Sequence, residues 1–163
     1  MDSARINQRL HGHGRIIATG LAAGFAGGVA EIAWIMLYAS FAGGDSAAVA
    51  NEVTASISPA LAASGMAVPL GVAIHMGLAV LLGAAIAIML RRALPRLAGT
   101  VTEFAIVIGL LVTVWAVNFL LVLPAINPAF IELVPLAVGL TSKVLFGAAA
   151  ALVFYRRGRR SAT

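Results

Sequence analysis

Residues 16–41 read IIATGLAAGFAGGVAEIAWIMLYASF, an apolar stretch that follows Arg15 and contains one charged residue, Glu31. A helix rises 1.5 Å per residue, so this stretch is long enough to cross the ~30 Å of hydrocarbon in a bilayer. A basic segment before an apolar run is also typical of a signal peptide, but this run is too long for a signal peptide's apolar region. The stretch is therefore predicted to be an uncleaved membrane-spanning helix.

Three further apolar stretches follow, at residues 68–90, 101–123 and 134–155. The whole chain is 61% hydrophobic and only 10% charged, whereas soluble domains are about 25% charged. The predicted fold is an all-α integral membrane protein, an up-down bundle of four transmembrane helices over residues 16–155. Residues 1–15 form a basic arm and residues 156–163 a basic tail.

The arginines predict the topology of the bundle. All eleven basic residues except Lys143 lie in three clusters, at residues 5–15, 91–96 and 156–160. Basic residues mark the cytoplasmic side, so both termini and the 91–96 loop are predicted to be cytoplasmic. Arginine outnumbers lysine ten to one and alanine is abundant, which suggests a GC-rich bacterial genome and so the inner membrane of a bacterium. The clusters flank apolar segments and form no continuous patch, which argues against nucleic-acid binding and favours contact with anionic lipid headgroups.

The two outer loops differ in their predicted structure. Val49, Val53 and Ile57 recur every four residues, which predicts a short amphipathic helix on the outer surface. The second loop, residues 124–133, is rich in proline and is predicted to be a tight cap without any helix. Trp34, Trp115 and Phe119 approach the outer ends of their spans, as in an aromatic belt at the membrane interface.

Glycines at helical intervals predict close packing between the spans. In lipid, helices associate where small residues let their backbones approach closely. The predicted packing positions are Gly20, Gly24, Gly28, Gly83, Gly139 and Gly147.

Glu31 and Lys143 are charged residues inside predicted spans, at similar depth and on glycine-bearing faces. A lone charge at the membrane centre costs roughly 2.5–3.5 kcal/mol, so both side chains are expected to face protein, and an ion pair between the first and fourth helices is reasonable. Such a pair either fixes the register of two helices or serves as an ion relay or a substrate counter-charge. The sequence leaves both interpretations open.

His75 and Asn118 lie about 9 Å inside their spans and complete a predicted polar layer with Glu31 and Lys143. Thr113, Thr141 and Ser142 could extend this layer. No second histidine pairs with His75 in a span, so no cofactor or metal is expected; a haem or quinone shared with a partner through His75 is a minor alternative. Motifs of hydrolases, zinc proteases and phosphate-binding loops are missing, so an enzyme acting alone is not expected.

Three segments resemble a group of small, poorly characterised four-helix bacterial inner-membrane proteins: RIIATGLAAGFAGGVAEIAW, PLGVAIHMGLAVLLGAAIA and LTSKVLFGAAAALVFYRR. In that group the second and fourth helices each tend to carry a histidine before a glycine. His75 matches the first histidine, and Lys143 stands where the second is expected. The resemblance implies a four-helix membrane fold and no particular activity.

Two functional hypotheses follow from the sequence. The first is a non-catalytic accessory subunit of a respiratory or other energy-converting complex, packed against larger membrane subunits. The second is a small transporter or channel that uses the polar layer. Because four helices leave little room for a cavity, this second hypothesis predicts a homo-oligomer.

Overall fold

A computed structural model describes the backbone of residues 2–160 and the side chains of residues 13–159. The described chain is helical, with short connections and no strands. A 3-10 turn precedes α5 and a π-helical turn follows it. The helices are α1 (Asp2–Ala42), α2 (Ser46–Ala55), α3 (Pro59–Ala62), α4 (Ala67–Ala93), α5 (Val101–Val117), α6 (Leu123–Ile126), α7 (Pro128–Leu133) and α8 (Leu136–Arg160).

Four segments are long and apolar enough to cross a membrane, which confirms the predicted number of spans and the helical, multi-pass membrane class. These segments are His13–Ala42, Ala67–Ala93, Val101–Ile126 and Leu136–Arg159. The side chains of the basic arm before residue 13, including those of Arg5 and Arg9, lie outside the described residues. The same holds for the end of the tail, from the Arg160 side chain onward.

The long helices pack in the spatial order α4, α1, α8, α5. Helix α1 contacts both α4 and α8, and α8 contacts α5, whereas α4 and α5 make no extensive contact with each other within the described residues. Arg157 Nη1 donates a hydrogen bond to the carbonyl of Ala18 at 3.0 Å, so the start of the first span and the end of the last lie at the same end of the bundle. The backbones of α4 and α5 are therefore not in close contact, although Leu90 on α4 and Val107 on α5 belong to the same buried cluster.

Glycine allows the close contact between α1 and α4. A Cβ added to Gly20 would lie 2.6 Å from the Cα of Ala84, and one added to Gly83 would lie 2.5 Å from the Cα of Gly24. Both positions are too close for any side chain, so the two backbones touch directly. A Cβ added to Gly28 would also meet Met76 and Ala79, one added to Gly139 would meet Phe119 and Trp115, and one added to Gly147 would meet Ile108.

The third span ends in an irregular helical segment, which differs from the prediction of a regular helix that ends at residue 123. A π-helical turn covers Asn118–Val122, and the helix then continues through Pro124 as α6. Pro124 has no N–H to donate to the preceding turn, which favours a local change in the hydrogen-bond pattern. Residues 124–133 form parts of two short helices, α6 and α7, so the prediction of a cap without helix is wrong.

A short helix, α2, lies in the connection between α1 and α4, and its apolar residues Val49 and Val53 are half-buried. Asp45 caps it by accepting a hydrogen bond from the backbone of Ala47, and the buried Thr54 hydroxyl donates to the carbonyl of Ala67 on α4 at 2.6 Å. Val53 and Ile57 line a cavity between the long helices. Two of the three residues in the predicted pattern, Val49 and Val53, are therefore half-buried, whereas Ile57 follows the helix and is 65% exposed.

Three of the predicted belt aromatics contact α8. Phe119 is buried and stacks on Trp115, with ring centroids 5.9 Å apart, and both rings lie against Gly139. Trp34 Nε1 donates a hydrogen bond to the carbonyl of Val138 on α8 at 3.1 Å. These rings therefore also hold helices together, whatever their depth in the membrane.

Candidate intramembrane binding site

The structure joins the two charged residues that the sequence placed inside the spans. Lys143 Nζ on α8 donates hydrogen bonds to both carboxylate oxygens of Glu31 on α1, at 2.6 and 2.7 Å. The neighbouring Ser142 hydroxyl donates to Glu31 Oε1. The side chains of Glu31 and Lys143 are only 10% and 14% exposed. This buried ion pair connects two helices that run in opposite directions.

His75 on α4 completes the group around Glu31. Its Nε2 lies 3.7 Å from Glu31 Oε2 and has no hydrogen-bond partner among the described residues. The Lys143 ammonium also lies 5.5 Å from the centre of the Phe146 ring, within the range of a cation–π contact. Glu31, His75, Ser142 and Lys143 are called the polar cluster below, and they come from three helices.

The polar cluster borders a cavity of about 580 Å³, called the main cavity. Its walls come from the four long helices, α2 and the α6–α7 cap, and most of them are apolar. Val72 and Leu78 line it yet remain 40% and 58% exposed, so it opens to the exterior beside α4. The expectation that four helices leave little room for a cavity is therefore wrong.

Asn118 lies on the wall of the same cavity but makes no direct hydrogen bond to the polar cluster among the described contacts. It begins the π-helical turn, and its carbonyl accepts the N–H of Leu123. Of the three hydroxyl residues expected to extend the polar layer, only Ser142 joins it. Thr113 and Thr141 donate instead to the carbonyls of Gly109 and Ala137 on their own helices.

A second buried ion pair, between Arg91 and Glu103, was not predicted from the sequence. Arg91 Nη2 on α4 lies 2.5 Å from Glu103 Oε1 on α5, and the Glu103 side chain is 2% exposed. Glu103 Oε2 also accepts the N–H of Gly99, while the Thr100 hydroxyl caps α5 by accepting the N–H of Glu103. One sequence signal could have drawn attention to Glu103: Thr100 is followed three residues later by this acid, which is the capping-box pattern at a helix start.

A polar network also closes the opposite end of the bundle. The buried Asn127 amide donates to the carbonyl and carboxylate of Glu52, at 3.1 and 2.9 Å, and to the Ser56 hydroxyl at 3.0 Å. These contacts hold α2 against the start of α7. No sequence pattern links Glu52 to Asn127, which is 75 residues away.

These features define a multi-pass helical membrane protein with a charged cluster beside an intramembrane cavity. Within the described residues, no group of three or more histidine, cysteine, aspartate or glutamate side chains is placed to hold a metal ion. No family model matches the chain, and no curated protein or solved structure matches it significantly. The likeness to small four-helix bacterial proteins therefore remains a resemblance.

Proposed function

We propose that the protein is a small membrane transporter that holds its substrate in the main cavity. The observation that carries this proposal is the position of the polar cluster on the cavity wall, within the membrane span. Ionisable residues inside membranes are rare and usually belong to substrate or ion pathways. Because the cavity lies within one chain, the proposal does not need several copies to form a path.

The cavity favours a small amphipathic substrate. Its volume of about 580 Å³ falls within the range of roughly 300–1,000 Å³ that is usual for small-molecule sites. Apolar walls such as Val72, Leu78 and Val114 suit the carbon skeleton of a substrate. Lys143, Glu31 and His75 can bind its polar end, and the exposed edge of the cavity beside α4 offers entry from the lipid.

The ion pair provides a mechanism for coupling substrate binding to helix movement. A substrate that hydrogen-bonds to Lys143 competes with Glu31 for the same ammonium, and a cationic one competes with Lys143 for the carboxylate. Either exchange loosens the connection between α1 and α8. The free energy of substrate binding would then help to separate α1 from α8, and alternating access in a carrier requires such a movement.

The test is transport in liposomes under an imposed proton gradient, with two fluorescent probes of opposite charge: ethidium and anilinonaphthalene sulfonate. We expect Glu31→Gln and Lys143→Met to reduce transport of the accepted probe at least about tenfold, because each removes a charge that contacts the substrate. Val114→Trp fills the cavity and should do the same, whereas Val117→Trp, on an exposed position of the same helix, should not. Transport equal to that of empty liposomes, or unchanged in these variants, contradicts the proposal.

A second candidate is the accessory subunit of a larger membrane complex, and one observation favours it. Ala105, Gly109 and Thr113 form an exposed face of small residues on α5, four residues apart, and nothing lies within 4 Å of a Cβ added to Gly109. Small residues on an outward face permit close approach of a helix from another subunit or a second copy. A non-catalytic role agrees with the absence of known catalytic motifs from the sequence.

Extraction of the tagged chain from native membranes in mild detergent tests this second candidate. Comigration with larger subunits at fixed stoichiometry on a native gel, with release by Gly109→Leu but not by Val117→Leu, would support it. A single free band from wild-type membranes would contradict it.

For localisation we propose the cytoplasmic membrane of a bacterium, with both termini in the cytoplasm. Arg15, Arg91 and Arg157 gather at the end of the bundle near the described termini, and basic ends of spans face the cytoplasm.

A further inference from the structure

His75 has a ring nitrogen to which the polar cluster gives no hydrogen bond. Its Nε2 is buried, lies 3.7 Å from Glu31 Oε2 and has no partner within the described part of the chain. A carboxylate oxygen only accepts hydrogen bonds, so Nε2 can bond to it only when that nitrogen carries a proton. At this distance the two atoms lie just beyond hydrogen-bond reach, and a small rotation of either side chain would join them.

Two opposite charges face His75, and they cancel while its imidazole is neutral. Glu31 comes from α1 and Lys143 from α8, whereas the described residues of α2 and α5 that line the main cavity carry no charge. The acid of α2, Glu52, accepts a hydrogen bond from Asn127 and is not part of the cavity wall. A charged ligand that enters the main cavity therefore disturbs a pair of charges that is otherwise neutral.

An anionic ligand disturbs this pair in a way that His75 can correct. Lys143 is the one lysine or arginine among the described residues of the cavity wall, so an anion binds there. The anion then competes with Glu31, which would keep only the Ser142 hydroxyl as a donor among the described contacts. A buried carboxylate without its counter-charge is strongly unfavourable. A proton on His75 removes this cost, because the imidazolium lies beside Glu31 Oε2 and replaces the ammonium as its counter-charge.

We propose that the substrate of the main cavity is an amphipathic anion carried together with one proton, and that His75 takes up this proton. The inference rests on the transport function proposed above and names its substrate class. When the anion binds Lys143, an N–H bond forms on the imidazole with a proton from water. When the anion leaves, Glu31 regains Lys143 and the same proton returns to water. One negative and one positive charge thus cross the membrane together.

The test measures proton uptake and anion uptake together in proteoliposomes without an imposed proton gradient. The probe is anilinonaphthalene sulfonate, whose sulfonate stays ionised near neutral pH and so carries no proton by itself. A pH electrode in weakly buffered medium records the protons, probe fluorescence records the anion, and empty liposomes give the background. We expect about one proton per anion for the wild type. The half-saturating probe concentration should rise up to about tenfold per unit rise in pH, because binding of the anion is linked to one proton.

His75→Gln removes the proton acceptor and keeps hydrogen-bonding groups in its place. We expect the number of protons per anion to fall at least about fivefold, because glutamine does not titrate. A merely structural role would slow both fluxes equally and leave this ratio unchanged. The matched control is His13→Gln, which replaces an exposed histidine outside the main cavity and should leave the ratio as in the wild type.

The outcomes separate this inference from the transport function on which it rests. Anion uptake without protons, an unchanged ratio in His75→Gln, or uptake of ethidium alone would overturn the inference and leave the transport function standing. If His75→Gln is inactive, the wild type decides: a half-saturation that does not change with pH overturns the inference. Uptake of neither probe by the wild type would contradict the transport function itself, and the inference with it.

Discussion

Glu31 accepts hydrogen bonds from two consecutive residues of α8, and this arrangement explains how the membrane span tolerates a carboxylate. Lys143 contacts both of its oxygens and Ser142 contacts one. Removing charges from water is costly, and the mutual attraction of a pair offsets that cost only when the geometry is good and further hydrogen bonds are made. The same property makes the pair sensitive to the loss of either partner.

A double-mutant cycle on Glu31→Gln and Lys143→Met should therefore show strong coupling. We expect each single variant to lower the free energy of unfolding by about 3–5 kcal/mol, because it leaves one buried charge unpaired. The double variant leaves no unpaired buried charge, so it should cost less than either single variant. Unfolding titrations in mixed micelles measure these values, and additive costs would show that the pair contributes no interaction energy.

The double variant also separates a structural role from a functional one. If it folds but does not transport either probe in liposomes, the pair takes part in transport. If it folds and transports as well as the wild type, the pair only fixes the register of α1 and α8.

Glu103→Gln should destabilise the protein although Glu103 lies far from the main cavity. The substitution leaves the Arg91 guanidinium partly buried without a counter-charge and weakens the contact between Glu103 and the N–H of Gly99. We expect a loss of about 3 kcal/mol or more in unfolding free energy. Glu132→Gln, at an exposed position, is the control and should change stability by less than about 0.5 kcal/mol. Equal effects of the two substitutions would contradict this account.

At the scale of the elements, the contact between α1 and α4 depends on the absence of side chains. Gly20 and Gly24 on α1 meet Gly83 on α4 with backbone against backbone. In lipid, apolar surface alone does not drive helices together, so this close approach is the main stabilising contact available to the pair. Helix α4 also carries Gly77, on an exposed face where nothing lies within 4 Å of an added Cβ.

Gly83→Ala and Gly77→Ala therefore form a matched pair on one helix. The first should lower the unfolding free energy by about 1–3 kcal/mol, because the new methyl group forces the helices apart. The second should be neutral or stabilising by up to about 1 kcal/mol, because alanine favours the helix more than glycine does. Thermal unfolding of the purified variants measures both, and similar losses at the two positions would show that helix contact is not the cause.

At the scale of the whole molecule, the two ends of the bundle differ in charge. The end near the described termini carries Arg15, Arg91 and Arg157 around one pocket, whereas the opposite end carries Glu52, Asn127 and the short helices. The main cavity lies between these two ends, and exposed residues such as Val72 and Leu78 on α4 border it. A small chain thus has a basic end and an internal cavity.

The proposed orientation can be tested by cysteine labelling, since the chain contains no cysteine of its own. A membrane-impermeant maleimide added to intact spheroplasts should label Ala60→Cys, at an exposed position of α3. Arg96→Cys, exposed in the connection from α4 to α5, should be labelled only after lysis. The positive-inside rule gives this direction, and the reverse labelling pattern would overturn the assignment.

The sequence by itself determined the class of the protein and the number of its spans. Hydropathy over ~20 residues and the position of arginines can be read from short stretches of sequence. Both follow directly from the thickness of the bilayer and the charge difference between its two sides. The intramembrane position of Glu31 and Lys143 followed from the same signals, and so did the expectation that they face protein.

Only the tertiary structure decided which helices touch and what lies between them. The main cavity and the position of Arg15, Arg91 and Arg157 around one pocket depend on the order of helices around the bundle, which no local pattern encodes. The sequence did not reveal that Phe119 is buried, because an apolar residue near a membrane end can face lipid or protein equally well. It also missed the short helices α6 and α7, which begin next to the prolines that were taken to exclude a helix. Glu103 and Arg91 lie close in the chain, yet their ion pair forms only because the turn between α4 and α5 brings the two helix ends together.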